Sequence, residues 1–274
     1  IDVRLVGSEM CIRDRIYGIG PKKAQQLIDD GVTSLDQLKQ KQDEVLNDTQ
    51  RIGLKYYEDI LKRIPRNEVE EYRTIFEMYF NQVKNPGSTF EIVGSYRRGA
   101  STSGDIDVII TDKDNDKTIL HKFIDKLVEN NIIVQKLTDG KTKVLVIARI
   151  DEKPYRRVDF LYSPPSEYAF STLYFTGSKL FNTVMRQRAL DMSYSLNEHG
   201  FYKMENKKKG AKLEKEFYTE NEIFDFLDMV YMEPKNRIDG RSVKIREPIS
   251  SMADSKNKTK LSPQEMMVEP SLNN

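Results

Sequence analysis

The sequence predicts an α+β protein: a helical N-terminal segment, a mixed β-sheet after it, and a final group of helices and strands. Three observations indicate this class. Helical patterns with start and stop signals fill residues 16–83, strand-like apolar runs dominate residues 88–162, and helical patterns return from residue 168. Helices segregated from the strands, instead of alternating with them, are typical of α+β folds.

Length and composition exclude several classes of protein. A chain of 274 residues can bury a substantial core. Lys and Arg number 44 and Asp and Glu 43, so the net charge of +1 neither supports nor excludes a nucleic-acid partner. The single Cys11 excludes an internal disulfide, and with two His a structural zinc site is not expected. No apolar run is long enough to span a bilayer, so we expect no membrane partner.

Residues 1–15 form a separate segment. The run 6–15 has neither helical nor strand periodicity and resembles translated adapter sequence from assembled sequencing reads. We expect residues 1–15 to be a non-native leader, with an ordinary disordered leader as the alternative.

Residues 16–66 predict a helix, a glycine hairpin and further helices. Pro21 suits a first helical position and Gly31 a helix end. Ser34 and Gln37 form a capping box for the next helix. Exposed N–H groups at the hairpin and at the helix N-terminus can hold a phosphate, and two lysines add positive charge. This candidate grip consists of Gly18, Gly20, Lys22 and Lys23. A simple helical turn is the alternative, because a lone Gly-x-Gly is a weak signal.

Two helices connect this segment to the strands. We expect a helix from Leu54 to Arg63, ended by Pro65, and a second helix capped by Asn67. The second helix carries an apolar stripe that we assign to the core: Val69, Tyr72, Phe76, Tyr79 and Val83.

Three acidic residues are the main candidates for chemistry. Asp105 and Asp107 lie two apart at the start of the strand-like run that ends at Ile110, so their side chains point to the same face. Asp159 lies in a second such run. Together the three carboxylates can hold two divalent ions for phosphoryl or nucleotidyl transfer. A solvated acidic pair on an edge strand is the alternative.

Small residues and arginines surround the first two acids. Gly94 and Gly104 let backbone N–H groups approach phosphate oxygens, and Arg97 and Arg98 can grip such oxygens with paired hydrogen bonds. Phosphate donors and metal ligands therefore fall within one short stretch.

Residues 166–237 predict two helices, 168–175 and 178–190, split by Thr176 and Gly177. We place Leu180, Val184 and Ala189 of the second helix in the core. Lys179, Asn182 and Arg186 form a polar stripe on a different face of the same helix. Such a stripe is usually just exposed to solvent. Residues 207–210 form a basic hairpin candidate, and residues 238–274 are expected to be disordered.

Several separated motifs, in order, resemble those of the X family of DNA polymerases. Residues 94–99 and 104–107 are similar to its nucleotide-binding palm signature, and residues 174–178 to its nucleotide-contacting turn. The resemblance covers Ile16 to about Arg237. It implies a helix-hairpin-helix DNA-binding subdomain (16–66), a nucleotidyltransferase palm (67–165) and a subdomain for the nascent base pair (166–237).

The resemblance also implies an activity. It is DNA-directed addition of dNTPs to a primer 3′-hydroxyl with two Mg²⁺ ions, or Mn²⁺, in short-gap filling during base excision repair. A template-independent terminal transferase and a catalytically silent DNA-binding module are the alternatives. The expected partners are gapped or primed duplex DNA and a dNTP, with a monomeric protein in the nucleus, or in the cytoplasm for a viral or bacterial source. An N-terminal lyase domain of the family has no counterpart before Ile16, so lyase activity is not expected.

The implied roles fall on four groups of residues. The divalent-metal ligands are Asp105, Asp107 and Asp159. The carbonyl donors to a Na⁺ or K⁺ ion at the hairpin are Ile16 and Ile19. The nucleotide-binding residues are Arg63, Ser95, Arg98, Ser103, Gly104, Tyr174, Phe175, Gly177 and Asn182. The DNA-binding residues are Gly18, Gly20, Lys22, Lys23, Lys143, Arg157 and Arg186.

Overall fold

The computed structural model describes residues 16–246. Their helices and strands surround three large hydrophobic cores, and a fourth, smaller cluster joins the first unit to the central sheet. The expected leader (1–15) and most of the expected tail (247–274) lie outside the described residues. The elements in chain order are α1 (Pro21–Asp29), α2 (Leu35–Gln40), α3 (Gln42–Val45), α4 (Asp48–Lys55), α5 (Tyr57–Ile60), β1 (Ile64–Pro65), α6 (Arg66–Val83), β2 (Ser88–Ile92), α7 (Gly94–Arg97), β3 (Thr102–Ser103), β4 (Ile106–Asp112), α8 (Thr118–Glu129), β5 (Ile133–Asp139), β6 (Lys143–Ala148), β7 (Arg156–Tyr162), α9 (Tyr168–Thr176), α10 (Lys179–Asp191), β8 (Tyr194–Asn197), β9 (Gly200–Glu205), β10 (Lys208–Lys212) and α11 (Glu220–Phe226).

Helices α1–α5 form the N-terminal unit. As predicted, α1 begins at Pro21 and the chain turns at Gly31, whose φ of +78° favours glycine. The Ser34 capping box is confirmed. The predicted helix from Leu54 to Arg63 is wrong, because the chain leaves helical geometry at Tyr56 and α5 ends at Ile60. The buried Tyr56 ring instead packs on Tyr155, with ring centroids 4.7 Å apart.

A five-stranded mixed sheet in the order β2-β4-β7-β6-β5 forms the centre of the molecule. Strands β4 and β7 are parallel, and the other neighbours are antiparallel. Helices α6 and α8 pack against it around Phe76, which lies 5.9 Å from Phe123 and 5.4 Å from Phe160, centroid to centroid. The predicted mixed sheet and α+β class are confirmed.

The predicted apolar stripe of α6 belongs to this core, with the first three residues buried and the last two partly buried. The predicted cap at Asn67 is wrong. Helix α6 begins one residue earlier, at Arg66, directly after Pro65, and no side chain caps it.

The C-terminal unit joins helices α9–α11 to a three-stranded sheet, β8–β10. The predicted core residues Leu180 and Val184 are wrong, since 61% and 38% of their surfaces are exposed. The third predicted core residue, Ala189, is buried, together with Phe181 and Met185 on the neighbouring face of α10. The predicted basic hairpin joins β9 and β10, and its lysines are exposed.

Residues 238–246 are structured, so the expectation of disorder from residue 238 is wrong there. A 3₁₀ turn, Gly240–Ser242, packs on α10, and Met229 pairs with Ile245. A Cβ on Gly240 would lie 2.6 Å from a methyl carbon of Val184, so this contact is tight. No helix among residues 16–246 is both long and apolar enough to span a bilayer.

Candidate active site

The three acidic side chains meet at the parallel pairing of β4 and β7. Asp107 and Asp159 are directly opposite one another in the register, and Asp105 immediately precedes β4. Arg157 donates hydrogen bonds to both outer acids, one of them from Nε to Asp159 Oδ1 at 3.1 Å. Lys143 Nζ lies 3.9 Å from Asp159 Oδ2. Two cations therefore compensate three converging carboxylates.

Arg157 also determines how the carboxylates are oriented. Within residues 16–246, no three acidic, His or Cys side chains are arranged as a ready-made metal-ligand set. The ion pairs with Arg157 direct one oxygen of Asp105 and one of Asp159 towards its guanidinium. A divalent ion would have to compete with this guanidinium for the same oxygens.

Burial makes the charge of Asp107 costly. Burial first, and then the charges of Asp105 and Asp159, raise the pKa of Asp107 to about 7. Burial likewise raises the pKa of Asp159, although Arg157 opposes the shift. Because the three carboxylates repel one another when ionised, a cation bound between them would be stabilised.

This raised pKa predicts a pH-dependent effect of Asp107→Asn in metal-free protein. Below about pH 4 both folded and unfolded chains hold the proton, so the wild-type carboxyl costs nothing. As the pH rises towards about 7, the unfolded chain loses a proton that the folded protein keeps, and wild-type stability falls. The melting-temperature gain of Asp107→Asn, measured in EDTA, should therefore grow with pH and level off above about pH 7.

Asp114→Asn, which makes the same change at an exposed position, is the control, and its effect on the melting temperature should not grow with pH. A gain for Asp107→Asn that is the same at all pH values would contradict the raised pKa.

Gly94 leaves the space that Asp107 occupies. Its φ is +62°, and a Cβ there would lie 2.5 Å from Asp107 Oδ2. The sequence indicated Gly94 only as a turn near phosphate. Its second role, close approach to a carboxylate, becomes visible only when β4 is placed beside α7.

A cavity of about 620 Å³ opens beside Asp105 and Asp107 and extends to Arg186. Eight of the nine predicted nucleotide-binding residues line it: Arg63, Ser95, Arg98, Gly104, Tyr174, Phe175, Gly177 and Asn182. The exception is Ser103, which is buried and whose hydroxyl accepts a hydrogen bond from Ser95 Oγ at 2.9 Å. Ser103 therefore orients Ser95 and does not itself face the cavity.

The turn between α9 and α10 forms one wall of this cavity. Arg98 donates from Nη1 to the Thr176 carbonyl at 2.5 Å, and Asn182 Nδ2 donates to the Tyr174 carbonyl at 2.7 Å. From the other side, Ser178 Oγ donates to the Ile238 carbonyl at 2.8 Å. The turn is thus held by the central sheet unit and by residues near the end of the described chain.

A buried ion network lies behind this turn. Arg237 is 0% exposed and Glu220 is 9% exposed. The Glu220 carboxylate accepts two hydrogen bonds from Arg237, at 2.7 and 3.1 Å, and two from Arg97, both at 3.1 Å. Arg97 Nη1 also donates to Thr176 Oγ1 at 2.9 Å.

The electrostatic balance of this network favours the ionised acid. Burial raises the pKa of Glu220, but the hydrogen bonds and charges of Arg237 and then of Arg97 outweigh it, so the pKa lies below its usual range. Sequence reasoning missed the roles of Glu220 and Arg237, because nothing in their local patterns distinguishes them from exposed charges.

The predicted hairpin grip lies outside the cavity. Gly18 has a φ of +84°, and its carbonyl accepts a hydrogen bond from Gln50 Nε2 at 3.0 Å. Gly20 caps α1, and no atom lies within 4 Å of where its Cβ would be. Lys22 is exposed and Lys23 half-buried. The Ile16 carbonyl, a predicted cation donor, accepts from Ile19 N at 3.1 Å.

Comparisons with known proteins agree with this architecture. Three family models match in order: the fingers domain of DNA polymerase lambda over residues 14–61, the DNA polymerase beta palm over 63–165 and the DNA polymerase beta thumb over 171–238. DNA polymerase lambda from Arabidopsis thaliana is 31% identical over 81% of this chain and 45% of its own length. DNA polymerase lambda from Rattus norvegicus is 34% identical over 81% of this chain and 41% of its own length. The human DNA-directed DNA/RNA polymerase mu is 25% identical over 81% of this chain and 51% of its own length.

An acidic triad on a mixed sheet, open to an arginine-lined cavity, is a site suited to nucleotidyl transfer. With fingers, palm and thumb matched in order, the chain belongs to the X family of DNA polymerases. It spans about half the length of the curated relatives it matches.

Proposed function

We propose that this chain is a DNA-directed DNA polymerase that adds dNTPs to a primer 3′-hydroxyl and fills short gaps, as base excision repair requires. The observation that carries the proposal is the convergence of Asp105, Asp107 and Asp159 beside a cavity of about 620 Å³ lined by arginines and by the α9–α10 turn. The volume lies within the usual range of small-molecule sites.

The acidic residues fit a pair of divalent ions. The donors are all carboxylate oxygens, which Mg²⁺ and Mn²⁺ prefer. Burial and then the charges of Asp105 and Asp159 raise the pKa of Asp107, and a bound cation would offset both effects. Asp105 and Asp107 would hold both ions and Asp159 one of them. When bound, the ions would lower the pKa of the primer hydroxyl and neutralise the triphosphate. Arg157, released from Asp105 and Asp159, would be free to contact the primer end.

The cavity residues divide between the parts of a dNTP. Arg63, Arg98, Ser95 and Gly104 would hold the triphosphate, with Ser103 orienting the Ser95 hydroxyl. Tyr174, Phe175 and Gly177 would bound the sugar. Asn182 would contact the base and Arg186 the template strand, since both lie on the cavity side of α10.

The N-terminal unit would grip duplex DNA. Gly18, Gly20, Lys22 and Lys23 would hold a backbone phosphate, and the carbonyls of Ile16 and Ile19 a Na⁺ or K⁺ ion. Lys143 faces Asp159, so it would contact DNA beside the site of chemistry. We assign DNA binding to residues 16–66, catalysis to 67–165 and nucleotide selection to 166–237. We further propose a monomer and, from the family, a nuclear location.

The test is incorporation of a single labelled dNTP into a one-nucleotide gap, with and without Mg²⁺. We expect incorporation that requires Mg²⁺ and that follows the templating base. Incorporation on a primer without a template would favour a terminal transferase. Tight DNA binding with no incorporation in Mg²⁺ or Mn²⁺ would favour a silent DNA-binding module and would overturn the proposal.

A further inference from the structure

Tyr17 connects the hairpin to the catalytic strands. Its backbone lies between Ile16 and Gly18, directly before the predicted phosphate grip. Its half-buried side chain packs against a cluster, formed by Tyr56, Leu137 and Ile147, at the face where the N-terminal unit meets β5 and β6. The main chain of Tyr17 is thus part of the hairpin, while its ring packs on the surface of the palm.

The strand register shows how close this ring is to the acids. On β6, Leu145 is directly opposite Asp159 of β7, and Ile147 is opposite Arg157. Both β6 residues belong to the cluster on which Tyr17 packs. Burial raises the pKa of Tyr17, Asp159 raises it further and Arg157 opposes the shift, as expected for a hydroxyl in the field of both charges.

The position of Tyr17 is tightly constrained. A Cβ on Gly53 of α4 would lie 2.3 Å from the Tyr17 carbonyl oxygen, so the hairpin sits directly against the α4 backbone. Gln50 also holds the next carbonyl, that of Gly18. Within residues 16–246 the Tyr17 hydroxyl makes no hydrogen bond, which leaves it available to a ligand.

The Tyr17 ring lies on the cluster between the hairpin and the strand pair that carries Asp159, so a DNA strand held at both places would run beside it. We propose that Tyr17 contacts the last nucleotides of the primer strand and thereby sets the distance from the hairpin grip to the catalytic acids. This inference rests on the proposed polymerase function. Its chemistry is that of an apolar ring and a neutral hydroxyl meeting sugar carbons and oxygens. The contact is therefore independent of base sequence.

Crosslinking tests the contact itself. A benzophenone side chain introduced at position 17 should, on irradiation with a gapped duplex, label the primer strand within its last few nucleotides. The same group at position 57 is the matched control, because Tyr57 is another half-buried tyrosine of this unit but packs on the α1–α4 core. Labelling of the template strand alone, or equal primer labelling from both positions, would overturn the inference. This readout does not require catalysis, so it separates failure of the inference from failure of the polymerase proposal.

Kinetic measurements test whether Tyr17 sets the position of the primer end. In single-turnover gap filling, Tyr17→Ala should lower the rate by about 10- to 100-fold, as expected for a misplaced reacting group, with little change in DNA affinity. Tyr17→Ala should also reduce the ratio of the extension rates of paired and mispaired primer ends. A general loss of stability in the N-terminal unit would leave that ratio unchanged. Tyr57→Ala should likewise leave that ratio unchanged.

A milder substitution covers the case in which Tyr17→Ala does not fold. Tyr17→Phe keeps the ring and should retain most of the rate, whereas Tyr17→Leu, which keeps apolar bulk without the ring, should narrow the discrimination against mispaired ends. Wild-type discrimination in both Tyr17→Ala and Tyr17→Leu would refute the role.

Discussion

Replacing Asp159 with Ala should reduce nucleotide incorporation by more than about 100-fold, the scale on which loss of one preorganised charge partner acts. Asp159 stands opposite Asp107 on the parallel strand, and its carboxylate is one of three that the proposed ions would share. Its removal leaves Arg157 and Lys143 in place, so excess positive charge near the primer end should preserve DNA binding.

Single-turnover gap filling and a fluorescence-anisotropy titration with gapped duplex would measure the two effects separately. Asp114→Ala, an exposed aspartate on the loop after β4, is the control and should extend primers at the wild-type rate. Near-normal incorporation by Asp159→Ala would remove Asp159 from the catalytic set.

Replacing Glu220 with Ala should cost about 3–5 kcal/mol of folding free energy, which is typical when one partner of a buried ion network is removed. Arg237 would remain fully buried without its carboxylate, and Arg97 would lose its ion pair with α11. The α9–α10 turn would then lose support, because Arg97 also donates to Thr176. We therefore expect a raised KM for dNTP at temperatures where the variant is still folded.

Chemical denaturation measures the stability loss, and Glu214→Ala, at an exposed position of the same unit, is the control. Adding Arg237→Met to Glu220→Leu should restore part of the stability that Glu220→Leu alone loses, since no fully buried charge is then unpaired and Arg97 keeps its ion pair with Glu91. If Glu220→Ala lowers the free energy of unfolding by less than about 1 kcal/mol, this network stabilises the fold no more than an exposed salt bridge does, and the prediction is wrong.

Local signals explain which parts of the fold could be predicted. Pro21, Gly31 and the Ser34–Gln37 box act within one or two turns of chain, so α1 and α2 followed directly from sequence. Helix α10 was harder, because its apolar residues at 180, 181, 184 and 185 define two neighbouring faces. Packing against β8 and against Phe224 of α11 decides that Phe181 and Met185 are buried.

The candidate site divides in the same way. The spacing of Asp105 and Asp107 is local and predicted a shared face. The pairing of Asp107 with Asp159 depends on the β4–β7 register across some fifty residues, which periodicity alone cannot supply. Burial of Ser103 and Arg237 was not foreseen, because polar residues are exposed by default and only tertiary contacts reverse this.

The support that Arg237 and Ile238 give to the α9–α10 turn has a consequence for biosynthesis. Ribosomes release a chain from its N-terminus, and its domains fold in that order. The central sheet can close as soon as β7 has emerged, but Ser178 finds its carbonyl partner only after residue 238 has left the exit tunnel. A nascent chain would therefore carry its acidic residues in place before it could grip a nucleotide, and the nucleotide site would be complete only after residue 238 has been translated.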